Sequence, residues 1–275
     1  MPPTSAESRN PKGGRGPWAP RGRHETQTRQ RTKRKKRGMD RTVVLHYHLF
    51  KNAGTSLDQI LRRNFGPRWV TREFPMSEDN SAELAEWIRS EPGAVAFSTH
   101  TAMGPVPRIE GVNIVSVMLL RDPVARIRSA YRFERKQDAD TWGAELAKQH
   151  DLEGYVRARL ERVNDRQCRN FQTHRLASMV PGDAPELDRA RAGLRQLSVV
   201  GLVEAFEDAV SDLAGAIRPA YPDFEWKTVR ANTTTAAPPT SEDARIDTLM
   251  AEANADDRAL LAEARALLDG AREPE

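Results

Sequence analysis

The chain reads as an α/β protein with a P-loop-like parallel sheet flanked by helices, and two observations predict it. An apolar, β-branched stretch at 42–49 runs through a small-residue loop into a helical pattern, Leu57, Ile60, Leu61 and Phe65. A continuous apolar run at 113–120, of the kind buried on both faces of a parallel sheet, ends in Arg121-Asp122-Pro123 and is again followed by helical spacing. Strand-loop-helix units of this kind belong to a doubly wound sheet, where ligands bind outside the carboxyl ends of the strands.

Taken in order, the strand at 42–49 hands over to a helix that starts near Thr55 and runs to 65. An amphipathic helix follows near 80–90, then strands at 94–99 and 112–120. Asp122 is a good N-cap and Pro123 a good first helical residue, so a helix over 123–136 turns Val124, Ile127, Ala130 and Tyr131 inward. Helices are expected at about 141–163 and 164–178, with Leu152, Tyr155, Val156, Leu160 and Val163 as one stripe of core packing. A short strand at 198–203 leads to a helix at 204–217 that buries Phe206, Val210, Leu213 and Ile217. The Pro- and Thr-rich stretch 228–240 is a loop, and 241–269 closes the chain with helix.

The first loop has the make-up of a phosphate cradle. Free N–H groups and the positive dipole end of the helix, the Lys51 ammonium and the Thr55 and Ser56 hydroxyls converge on one anion. The ATP/GTP P-loop requires lysine directly before the hydroxyl, whereas here Lys51 precedes Thr55 by four residues and no glycine opens the loop. The run His48-Leu49-Phe50-Lys51-Asn52-Ala53-Gly54-Thr55-Ser56 instead resembles the 5′-phosphosulfate loop, His-x-x-Lys-x-x-Gly-Thr-Ser/Thr, of sulfotransferases that use 3′-phosphoadenosine 5′-phosphosulfate (PAPS), specifically the Golgi-type carbohydrate group.

A second segment matches independently. Leu120-Arg121-Asp122-Pro123-Val124-Ala125-Arg126-Ile127-Arg128-Ser129-Ala130-Tyr131 follows that family's 3′-phosphate motif throughout, and the resemblance implies that Arg121 and Ser129 hold the 3′-phosphate. A guanidinium suits this role because its planar fork binds phosphate bidentately. Weaker matches extend over most of 41–270. Asn170-Phe171-Gln172-Thr173-His174-Arg175-Leu176 resembles a family segment that usually has Arg where His174 stands. Val199-Val200-Gly201-Leu202-Val203-Glu204-Ala205-Phe206 resembles its strand-to-helix step, Asn232-Thr233-Thr234 its nucleotide-closing loop, and the stretch with Asn254, Asp257, Leu260 and Leu261 its final helix. The resemblance implies the sulfotransferase fold, PAPS as sulfuryl donor, no metal, and a hydroxyl-bearing acceptor such as a glycan or a glycosylated or lipid-linked metabolite.

Transfer also requires a base for the acceptor hydroxyl. The run 94–99 reads as a strand that delivers His100 to the same sheet edge as both loops, and imidazole titrates in the range general-base work needs. The alternative is a capping or packing role for His100, with His48 and then Glu73 or Glu78 next as base. Lys51 bridges leaving phosphate and sulfuryl oxygens. His46 and His48 share a strand face and invite a metal reading, but no third ligand accompanies them in the sequence, so packing is expected. Glu73, Glu78 and Asp79 read as solvated surface, and Cys168 stands alone as a small residue rather than a nucleophile.

Residues 1–39 differ from the rest. They hold twelve Lys or Arg against two acids, giving 12 − 2 = +10, which leaves +4 − 10 = −6 for the remainder. This composition predicts a disordered basic tail ahead of a domain at 40–275, and its run of cations at 31–37 suits weak contact with nucleic acid or anionic membrane. A misassigned start with Met39 as initiator is the alternative. No apolar run reaches the roughly 18 residues of a membrane span and no signal peptide is evident, so a cytoplasmic enzyme is expected. The rival reading is a non-catalytic nucleotide- or nucleic-acid-binding α/β protein that uses the tail. Loss of Lys51, Arg121 or Ser129 would favour it, and all three are present.

Overall fold

The structure, a computed structural model, describes residues 41–75, 77–227 and 241–270. Strands β1 (Arg41–Tyr47), β2 (Trp69–Thr71), β3 (Ala96–Thr99), β4 (Val112–Leu120) and β5 (Val199–Leu202) form one all-parallel sheet in the order β2-β3-β1-β4-β5. Its helices, in chain order, are α1 (Gly54–Phe65), α2 (Ser81–Ser90), α3 (Pro123–Lys136), α4 (Trp142–Gln149), α5 (Leu152–Glu161), α6 (Phe171–Ala177), α7 (Glu186–Leu194), α8 (Phe206–Ile217), α9 (Ser241–Ala253) and α10 (Ala255–Gly270).

Alternation along β1 explains the layering. Val44 meets Leu57, Ile60, Leu61 and Phe65 of α1 and the apolar face of α8, while Val43, Leu45 and Tyr47 meet α2, α6, α7 and α10. Each of the four buried α1 side chains contributes roughly 1.5–3 kcal/mol, enough to fix the helix against the sheet without help from propensity. A third cluster, with Ile127, Tyr131, Tyr155, Val156 and Met250, joins α3, α5 and α9.

This order places β1 beside β4, with Tyr47 opposite Met118. The chain leaves β1 toward β2 on one side and leaves β4 toward β5 on the other. The loops after β1 and β4 therefore flank a topological switch point, where a doubly wound sheet opens its crevice.

Several expected elements differ in detail. The helix at 141–163 is two helices, because Asp151 caps a new start by accepting from the Gly154 amide at 2.8 Å, and Val163 is exposed rather than part of the stripe. Turns fill most of 162–170 until Asn170, at φ 41°, starts α6. The closing helix also breaks in two, at buried Asn254, whose amide donates to the Met250 and Cys168 carbonyls. Strand β2 and helix α7 are additions to the expected elements: β2 is three residues long, and α7 buries only Ala190, Gly193 and Leu194, too few to write a clear stripe. The expected tail at 1–39, the loop at 228–240 and the Asn232-Thr233-Thr234 segment lie outside the described residues.

Candidate functional site

The loop between β1 and α1 is held open by backbone conformation. Lys51 and Ala53 adopt left-handed φ values of 64° and 57°, a cost that persists only where surrounding contacts enforce it. Buried Asn52 supplies them, donating through Nδ2 to the Leu119 carbonyl and to Gln172 Oε1, both at 2.8 Å. No side chain caps α1: the Ser56 amide turns back to the Ala53 carbonyl at 3.0 Å, Gly54 is buried, and Thr55 is exposed with Ser56 half-buried beside it.

The second loop is tied to the first. Arg121 Nη1 donates to the Lys51 carbonyl at 2.9 Å, and the Arg121 amide and carbonyl both pair with the Gln172 side chain at 2.8 Å. Gln172 thus clamps both loops at once. It is positioned in turn by buried Asp257 of α10, which accepts from the amides of Gln172 and Thr173 and from the Thr173 hydroxyl, standing in for the missing cap of α6. Ser129 is half-buried on α3, about 9 Å along the helix axis from Pro123, so a ligand that touched Ser129 and the first loop would be extended. Arg126, in the middle of the same motif, is fully buried over the Phe171 ring and donates to Gln167, a structural role.

Cations crowd this crevice. Burial first, and then the charges of Arg121 and Arg132, pull the Lys51 ammonium below its usual range; burial and then Arg132 do the same to Arg121. The Lys51 ammonium rests 4.4 Å from the centroid of Phe133, an exposed ring that meets Phe50 edge-on. Lys51, Arg121 and Arg132 repel one another, and the complement of such a cluster is an anion carrying more than one negative charge.

A column of three histidines borders the crevice. His46 and His48 stack with centroids 5.1 Å apart, and the His48 ring lies 3.9 Å from that of His100. Asp58 of α1 joins the inner pair, its Oδ1 2.8 Å from His46 Nδ1 and its Oδ2 2.8 Å from His48 Nδ1, while the Ser98 hydroxyl donates to Oδ1 at 2.6 Å. Burial opposes ionisation of Asp58, yet the hydrogen bonds from His46 and His48 outweigh it and hold this carboxyl well below the usual range. Burial pushes the His46 imidazole down. The expectation that no third potential ligand accompanies His46 and His48 is therefore corrected: Asp58 brings N and O donor atoms within 4.8 Å of one another. Because each Nδ1 faces its own carboxylate oxygen and the rings stack, the trio has the geometry of two N–H donors sharing one acceptor.

His100 sits at the carboxyl end of β3, half-exposed, and its Nδ1 is 2.6 Å from Glu73 Oε1. Glu73, expected as solvated surface, also accepts from the His100 amide at 3.0 Å and the Thr101 hydroxyl at 2.9 Å. Burial raises its carboxyl and these hydrogen bonds more than reverse that, so Glu73 is ionised and fixes Nδ1 as the donor, leaving Nε2 to accept a proton. Arg175 secures the loop by donating to the His100 and Ala102 carbonyls at 2.5 and 3.0 Å. His174, in the position where the family resemblance expects Arg, pairs with Glu186 at 3.0 Å in a neighbouring polar pocket of about 440 Å³ that includes Asp79, Met103 and Ser178. Cys168 is buried and its thiol is pushed up to about 12 by that burial, which removes it as a nucleophile.

Lys51, Asn52, Ala53, Gly54, Thr55, Ser56 and Arg121 are thus gathered at one sheet edge with His48 and His100, while Ser129 stands further along α3. Local sequence patterns assign no role to Asp58, Gln172 and Asp257. Asp58 was detectable: the first half of α1 packs over the strand face that carries His46 and His48, so a carboxylate there meets both imidazoles.

No protein-family profile matches the chain. A protein of Archaeoglobus fulgidus described as "Uncharacterized protein" is 38% identical over 203 residues, which cover 70% of this chain and 80% of the relative.

Proposed function

We propose that this chain, which belongs to one family with the Archaeoglobus fulgidus protein, is a PAPS-dependent sulfotransferase acting on a hydroxyl of a carbohydrate or of a glycosylated or lipid-linked metabolite. The observation that carries the reading is the junction of the two loops at the switch point, where Arg121 donates to the Lys51 carbonyl next to an uncapped helix start, with a histidine oriented by a carboxylate at the same sheet edge. The two loops that meet there are the segments that resemble the 5′-phosphosulfate and 3′-phosphate motifs. On this reading the sheet is a sulfotransferase fold.

The α1 amides, Thr55 and Ser56 receive the 5′-phosphate and Arg121 with Ser129 the 3′-phosphate. His100 Nε2 takes the proton of the acceptor hydroxyl as its oxygen attacks sulfur in line. The new S–O bond forms while the S–O bond to the 5′-phosphate breaks, and the electron pair stays on the departing phosphate oxygen. Lys51 offsets that charge, leaving its rest over Phe133 for the bridging oxygen. Glu73 stabilises the imidazolium that results.

The test is transfer of ³⁵S from labelled PAPS to a panel of soluble glycans and glycolipids. Label is expected on at least one acceptor class, and Lys51→Ala should lower its transfer by about a hundredfold or more. Wild-type turnover in Lys51→Ala would remove the first loop from the chemistry.

A further inference from the structure

His48 closes β1 and leads into the loop, and its ring lies against the first turn of α1. A Cβ on Gly54 would collide with Cδ2 and Nε2 of His48, so glycine is what lets the ring approach the first turn of α1. The Nδ1 of this ring is committed to Asp58. The nitrogen left at the start of α1 is Nε2, which in a neutral imidazole with Nδ1–H carries a lone pair and cannot donate to an oxyanion. An anion seated on the α1 amides therefore meets either a repelling lone pair or an imidazolium. Protonation resolves the conflict, because the anion on one side and Asp58 on the other both favour the charged ring.

We infer that His48 is a proton-linked cation of the phosphosulfate site, taking up a proton as the 5′-phosphate group of the nucleotide binds. This rests on the nucleotide reading above. The groups facing His48 are Asp58 from α1, His46 from β1 and His100 after β3, with Ser98 reaching it through Asp58 and Glu73 standing behind His100. Burial keeps His46 from competing for the charge of Asp58. A proton on His48, 3.9 Å from His100, also repels one on His100, so nucleotide binding would keep the proposed base free for the acceptor.

The test is calorimetric titration of the full chain with adenosine 3′,5′-bisphosphate (PAP) in buffers of different ionisation enthalpy at about pH 7.5, where the ligand phosphates, with second pKa values of about 6, are already ionised. Uptake of about 0.5–1 proton per PAP is expected, lost in His48→Gln and retained in His100→Gln. Because His48→Gln alters a buried position, ¹⁵N spectra of the wild-type histidines give an independent reading, with one Nδ1–H ring next to Asp58 becoming imidazolium on PAP addition. PAP binding without proton uptake, or uptake that survives His48→Gln and disappears in His100→Gln, overturns the inference alone. Absence of PAP binding overturns the nucleotide reading and the inference with it.

Discussion

At the scale of single residues, His100 and Glu73 behave as a pair. Glu73 fixes which nitrogen of His100 carries the proton, so its removal should act through the proposed base rather than through the nucleotide. His100→Ala is expected to lower turnover by roughly a hundred- to ten-thousandfold, and Glu73→Gln by about ten- to a hundredfold, with PAP affinity within a few-fold of wild type in both. The acidic limb of the pH–rate profile should vanish in His100→Ala. Steady-state kinetics beside PAP titration decides this, and near-full activity in His100→Ala would move the base to another group. The sequence placed His100 at the right edge because strand and histidine are adjacent in the chain. Glu73 was unreadable as its partner, since the two are 27 residues apart and meet only through the pairing of β2 with β3.

At the scale of elements, β1 and α1 are joined by an electrostatic seam as well as an apolar one. Asp58 and Glu73 ionise at lower pH in the fold than in the unfolded chain, and buried His46 resists protonation. Each group therefore contributes stability that is complete above its unfolded pKa, about 6.5 for histidine and about 4 for the carboxyls, and that is lost as pH falls through the lower folded value. The melting temperature should fall on acidification from about pH 7 toward pH 4, with His46→Gln flattening the upper part of that fall. A melting temperature that rises on acidification over this interval would show that the seam is wrongly drawn. The long, strongly patterned elements β1, α1, β4, α3 and α8 were legible because their apolar spacing is continuous. The division between α4 and α5 was missed because a cap at Asp151 overrides a periodicity that runs across it. The Gln172 clamp and its Asp257 support depend on contacts between residues 51 to 120 positions apart, which no local pattern encodes.

At the scale of the whole chain, charge is segregated, with +10 in residues 1–39 and −6 in the remainder. Deleting 1–39 is expected to leave PAP affinity nearly unchanged and to abolish salt-sensitive binding to DNA, RNA or anionic vesicles. Loss of folding on truncation, followed by circular dichroism, would show that the segment is structural. Among the described residues no helix is long and apolar enough to cross a membrane.

The central claim is that one crevice holds two phosphate groups of one nucleotide, and the most direct measurement compares PAP with ADP, which lacks the 3′-phosphate. Saturating PAP, at a hundred times its dissociation constant, should stabilise the protein by ~2.7 kcal/mol and raise the melting temperature by about 5–10 °C, with a much smaller shift for ADP and a collapse of the preference in Arg121→Ala. Equal shifts with PAP and ADP in the wild-type protein would contradict the assignment of Arg121 and Ser129, and with it the sulfuryl donor.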